Sequence, residues 1–125
     1  MDLKKKNNFI FLLCSERSGS NFITKLMNNH SKICGPSTKH IINPVARNYF
    51  RYQPLSQSEQ WESLIDDVLS LFNVEFSIWK SKFTKQELLE SVDYGDLYGL
   101  INYFFNKETL LNKKKILLYK RNKSL

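Results

Sequence analysis

The sequence predicts an α/β domain, a three-layer parallel sheet entered through a strand, a loop and a helix and interrupted by a helical insertion. Three observations carry that prediction. Phe9-Ile10-Phe11-Leu12-Leu13-Cys14 is an unbroken apolar run of strand length, the pattern of a strand buried on both faces. A polar, glycine-centred stretch follows it, and then apolar residues at helical spacing. The middle of the chain carries helical patterns only, and these close on a further apolar run, Ile116-Leu117-Leu118-Tyr119.

Each element has its own signal. Ser15 to Ser20 is polar around Gly19 and reads as a loop. From Asn21 to Asn29, Phe22, Ile23, Leu26 and Met27 recur at helical spacing, and Asn28-Asn29-His30 suits a helix C-terminus. Lys32 to Gly35 follows as a short strand, since parallel strands follow crossover helices, and Gly35-Pro36-Ser37 is a turn signal. His40 to Tyr52 reads as a helix with Pro44 near its first turn. Ser56 with Glu59 forms a capping-box pattern ahead of Trp61, Leu64, Ile65, Val68, Leu71 and Phe72. Thr84 with Glu87 forms another ahead of Leu88, Leu89 and Val92. The last helix runs from about Asp96 to Asn112 with Leu97, Leu100, Ile101, Phe104 and Phe105 as its apolar face. Lys113 to Lys115 at its exit complement the negative end of the helix dipole. No repeat and no linker divides residues 1–125, so a single domain is expected. The last strand is followed by only six residues, which predicts a bare parallel edge and a domain that stops short.

Composition bounds the function classes. The chain is 42% hydrophobic and 25% charged, an ordinary globular balance. A formal charge of +7 favours anionic partners without saying which: a nucleotide, a nucleic acid and an anionic membrane surface all fit. The Lys runs 4–6 and 113–115, and Lys120-Arg121 with Lys123, have the plainer reading of solvated faces. Cys14 and Cys34 form neither a CxxC nor a metal-ligand set, so no metal and no disulfide framework are expected. The run Phe9 to Cys14 is too short to span a bilayer, and Glu16-Arg17 stand where a signal peptide would need small residues. The expected location is cytoplasmic.

Chemistry concentrates in Ser15-Glu16-Arg17-Ser18-Gly19-Ser20-Asn21. A helix start offers free backbone N–H groups and the positive end of a dipole, which together hold an anion. Gly19 lets the backbone approach an oxyanion closely. Ser18, Ser20 and Asn21 add side-chain donors, and Arg17 adds a planar fork suited to phosphate or sulfate. The Walker A spacing GxxxxGK[ST] is absent, which disfavours an ATPase or GTPase. The alternative for this loop is a capped helix after a tight turn, with Arg17 on the surface.

The run from Phe9 through Phe22, with Leu26, His30 and then Cys34-Gly35-Pro36, resembles the start of the sulfotransferase family. These enzymes use 3′-phosphoadenosine 5′-phosphosulfate (PAPS) as donor, and their first motif is a P-loop-like strand, basic-Ser-Gly-[Ser/Thr] loop and helix. Arg17 stands at the basic position, where many members have Lys; Ser18, Gly19 and Ser20 match the loop; Asn21 and Phe22 stand where Thr and Trp are common. The resemblance extends through about residue 41. It implies that Ser15 and Arg17 to Asn21 hold the 5′-phosphosulfate and that Arg17 stabilises the group in flight. Thr38 stands where some relatives carry a Glu base, which leaves His40 as the catalytic base candidate; His30 reads as structural or substrate-lining. The family's later strand-Arg…Ser-helix unit, which binds the 3′-phosphate, has no counterpart here, so the expectation is the front part of such a domain, possessing the donor loop without the whole donor site.

Two further classes compete with the enzyme. One is a non-catalytic nucleotide or anion binder on the same loop. The other is a basic nucleic-acid binder using Tyr49, Phe50, Tyr52 and Tyr103, but these aromatics sit at helical core spacing and no nucleic-acid motif is present. The acceptor is illegible; Trp61, Trp79 and Tyr98 are candidates to line its pocket, with core packing the better use of Trp61.

Overall fold

A computed structural model describes residues 9–15, 20–35, 42–74 and 79–123. Three strands, β1 (Phe9–Ser15), β2 (Ile33–Cys34) and β3 (Ile116–Lys123), form a parallel sheet in the order β1-β3-β2. Five α-helices accompany them among the described residues: α1 (Ser20–Asn28), α2 (Ile42–Asn48), α3 (Ser58–Val74), α4 (Lys85–Ser91) and α5 (Leu97–Leu111). The fold is mixed α/β with the helical insertion lying between β2 and β3.

The last strand is not the bare edge that the sequence suggested. β3 lies in the centre of the sheet, pairing with β1 from Phe9↔Leu117 to Ser15↔Lys123 and with β2 at Ile33↔Ile116 and Cys34↔Leu117. Among the described strands, β1 and β2 are the two edges. Distance along the chain misled here: the chain runs outward from β1 to β2 and returns to insert β3 between them. Right-handed crossovers in these opposite directions put α1 and the insertion on opposite faces of the sheet. Leu117 and Tyr119 face the insertion, with Phe105 stacked on Tyr119 at 5.2 Å and set edge-on to Phe9 at 5.2 Å. Leu118, buried on the other face, lies on the α1 side.

Local signals explain the helix ends. Thr84 closes the predicted capping box: its Oγ1 accepts from the Glu87 N–H at 3.1 Å, and Glu87 Oε1 accepts from the Thr84 N–H at 3.4 Å. Asp96 caps α5 by accepting from the Gly99 N–H at 2.8 Å. α5 ends in a Schellman turn, with Lys113 in the left-handed region at φ 57° and the N–H groups of Lys113 and Lys114 donating to Leu110 and Thr109 carbonyls. α3 opens at Ser58, later than a box at Ser56 requires, because its first helical bond runs from the Trp61 N–H to the Gln57 carbonyl. The helix expected over His40 to Tyr52 is α2 followed by a 3-10 turn at Tyr49–Tyr52.

The core lies between the insertion helices and one face of the sheet. Trp61, Leu64, Ile65 and Val68 of α3, Leu88 of α4, and Leu100, Phe104 and Phe105 of α5 are all but inaccessible to water. Phe72, Phe83 and Phe104 contact one another at ring separations of 4.8 to 5.2 Å in tilted and edge-on geometry, as aromatic quadrupoles prefer.

Candidate functional site

All three strands point the same way, so the segments after β1 and β2 both leave from the carboxyl edge of the sheet, where open α/β sheets place their ligand crevices. β1 ends at Ser15 and α1 opens at Ser20, with Asn21 as its second residue. The remaining loop candidates, Arg17, Ser18 and Gly19, and the base candidate His40 with Thr38, lie outside the described residues. The two exits are offset: Ser15 pairs with Lys123 and Cys34 with Leu117, six positions apart along β3, or about 20 Å at a strand's rise.

The far end of α1 is fixed by polar ties. The Gly35 N–H donates to Asn28 Oδ1 at 2.8 Å. A Cβ at Gly35 would stand 2.9 Å from the Thr24 carbonyl oxygen, so only glycine admits this approach of helix to strand. Lys114 Nζ donates to the carbonyls of Asn28 at 3.0 Å and His30 at 2.6 Å, placing a cation on the negative end of α1. His30 Nδ1 accepts from the Lys32 N–H at 3.1 Å, which makes His30 part of the turn into β2. These ties set how α1 lies on the sheet, and with it the direction of its first turn. The Lys114 contact is invisible to sequence reasoning, since its partners are more than eighty residues away.

A second concavity lies between the α2–3-10 segment and α3. It holds about 210 Å³ over Val45, Leu64, Val68 and Leu71, with Arg51, Tyr52 and Asp67 among its polar lining. The Tyr52 hydroxyl donates to Asp67 Oδ2 at 2.5 Å. Burial and that carboxylate push the Tyr52 hydroxyl up to about 12, so it stays a donor across the physiological range. None of the acceptor-lining candidates borders this cleft: Trp61 and Trp79 are core residues, and Tyr98 is exposed on α5. Of the aromatics weighed for nucleic-acid stacking, Tyr103 is buried and Tyr52 half-buried, whereas Tyr49 and Phe50 are exposed, against the expectation of core packing, because the 3-10 turn carries them off the helical face.

Glu108 is the one buried acidic residue among those described, and it serves the fold. It accepts from the N–H groups of Lys80 at 3.1 Å and Ser81 at 2.9 Å and from Ser81 Oγ at 2.8 Å, pinning residues 79–83 to α5. Cys34 is also buried; desolvation, reinforced by Glu108, pushes its thiol up to about 11, far from a reactive thiolate. Among the described residues no group of three or more His, Cys, Asp or Glu could hold a metal, and no helix is long and apolar enough to cross a membrane.

No family model, curated protein or solved structure matches the chain.

Proposed function

We propose that the chain is a sulfotransferase-type donor-binding unit that holds the 5′-phosphosulfate of PAPS between the end of β1 and the start of α1. The observation that supports this reading is the junction itself. A parallel strand ends at Ser15, a helix begins at Ser20, and the four residues between them include Arg17, Ser18 and Gly19, at the carboxyl edge of the sheet. In this reading the α1 amides, Ser18, Ser20 and Asn21 hold the anion, and Ser15 and Gly19 shape the approach. Sulfuryl transfer breaks the S–O bond to the 5′-phosphate as a bond forms from sulfur to the acceptor oxygen or nitrogen. Arg17 neutralises charge on the leaving phosphate, and His40 takes the acceptor's proton. The acceptor is an alcohol or an amine. Full turnover also needs a grip on the 3′-phosphate.

Calorimetric titration of 3′-phosphoadenosine 5′-phosphate tests the site. Saturable binding that Arg17→Ala abolishes is the expected result. A folded chain that binds no nucleotide, or binds it equally well in Arg17→Ala, would sink the reading. Binding without transfer of labelled sulfate to any alcohol or amine would leave the non-catalytic anion binder.

A further inference from the structure

We infer that the cleft between the α2–3-10 segment and α3 binds a free aliphatic α-amino acid, with its carboxylate on Arg51, its ammonium on Asp67 and its side chain over Val45, Leu64 and Val68. The α3 wall is one helical stripe. Leu64, Asp67, Val68 and Leu71 stand at i, i+3, i+4 and i+7, so the carboxylate shares a face with the apolar floor. The opposite wall brings Val45 from α2 and Arg51 and Tyr52 from the 3-10 turn. Every lining residue falls within residues 44–71, so the inference stands apart from the loop between β1 and α1.

The charges select the ligand. Arg51 and Asp67 line the same cleft, yet no ion pair joins them among the described residues. Both act on the Tyr52 hydroxyl: burial raises its pKa, Asp67 raises it further and Arg51 lowers it, so opposite charges lie within electrostatic reach of one atom. That hydroxyl donates to Asp67 Oδ2, which steadies the carboxylate and leaves Oδ1 as an acceptor. The Arg51 guanidinium lies 5.8 Å from the Phe50 ring centroid, a cation–π contact, and its side chain makes no hydrogen bond among the described residues. Its planar donor fork is therefore open to a carboxylate. A lone anion in this cleft would meet the Asp67 carboxylate, and a lone cation would meet Arg51. An α-amino acid carries both charges on one carbon and answers both at once, whereas a peptide holds its terminal charges apart. Val45, Leu64 and Val68 are buried and Leu71 is half-buried, all of them aliphatic, which suits an aliphatic side chain. An apolar floor with a few convergent polar groups is the usual make-up of a small-molecule site. An apolar cavity of about 150 Å³ holds benzene, so about 210 Å³ suits a ligand a little larger, such as leucine.

Calorimetric titration of L-leucine into the full chain tests the site, and saturable binding is the expected result. Isocaproate lacks the ammonium, isopentylamine lacks the carboxylate and glycine lacks the side chain. Each should bind at least about tenfold more weakly than leucine. These analogues test the wild-type chain, so the result does not depend on any variant folding. Asp67→Asn keeps an acceptor for the Tyr52 hydroxyl while removing the charge, and Arg51→Gln removes the cation. Each should weaken leucine binding by about tenfold or more, and circular dichroism melts will show whether each variant is folded. A folded chain that takes up no leucine at millimolar concentration would overturn the inference. Isocaproate or isopentylamine binding as tightly as leucine would assign the cleft to a simple anion or cation and overturn it equally. Leucine binding unchanged in both folded variants would place the amino acid elsewhere, with the same consequence.

Discussion

α1 and α5 lie on opposite faces of one sheet, and they are held there by different physics. α5 buries eight of its fifteen residues, including Asn102, Asn106, Glu108 and Thr109 as well as its aromatics. α1 buries Thr24 and turns Phe22, Ile23 and Leu26 outward. Dispersion and desolvation hold α5, whereas α1 is held at its C-terminal end by the Gly35–Asn28 hydrogen bond and the Lys114 ammonium. The helix proposed to grip an anion is therefore fixed through polar ties at the end away from the anion, while Phe22, Ile23 and Leu26 stay exposed.

The largest expected effect separates the two helices. Phe104→Ala should cost about 3–5 kcal/mol, since it empties a site shared with Phe72 and Phe83. Phe22→Ala should stay within about 0.5 kcal/mol when the protein is monomeric, as for other exposed positions. Urea melts at low protein concentration measure both. Comparable losses would mean that α1 packs in solution as tightly as α5.

Next comes the buried carboxylate. Glu108→Ala leaves the N–H groups of Lys80 and Ser81 without their acceptor and should cost about 2–3 kcal/mol, with the unfolding slope unchanged. Glu108→Gln retains one acceptor oxygen and should lose less. If the two substitutions cost the same, the side-chain volume contributes nothing and both carboxylate oxygens are needed to hold Lys80 and Ser81.

The start of α4 and the strand β1 were legible because their causes are local, whereas the Ser56–Glu59 pattern does not cap α3. Thr84 and Glu87 name a capping box in four residues, and the apolar run from Phe9 names a strand. The polar residues of α5 were not legible as buried: Asn102, Asn106 and Glu108 look like solvent-facing positions, yet all three are buried, and Glu108 is covered by the return of residues 79–83. The orientation of α1 was hidden for the same reason. Its apolar spacing fits a helix lying on the sheet, but the close approach of Gly35 to Thr24 is a contact between segments and decides which side faces inward. At the candidate site, the strand and the helix were legible to within one residue, with β1 ending at Ser15 rather than Cys14 and α1 opening at Ser20 rather than Asn21, while Arg17 and His40 are read from residue chemistry and family resemblance.

The smallest expected effect is at the start of α4, where the capping box joins a wider polar cluster. Burial raises the Glu87 carboxyl, but hydrogen bonds from Lys107 at 2.6 Å and Tyr103 at 2.6 Å outweigh it and hold the group below its ordinary value. A carboxyl held low when folded contributes stability above the ordinary carboxylate range, and that contribution is lost as pH falls through its folded value. Thr84→Ala should cost about 1 kcal/mol at neutral pH by removing the cap. Glu87→Gln should flatten the acid limb of the stability curve, because the group whose protonation differs between folded and unfolded chains is gone. Thermal melts from neutral pH to about pH 3 separate the two effects, since the loss in Thr84→Ala persists across that range and the loss in Glu87→Gln shrinks as the wild-type carboxyl protonates. An acid limb identical in Glu87→Gln and the wild type would place the acid-sensitive group elsewhere and leave the cap as a backbone contact only.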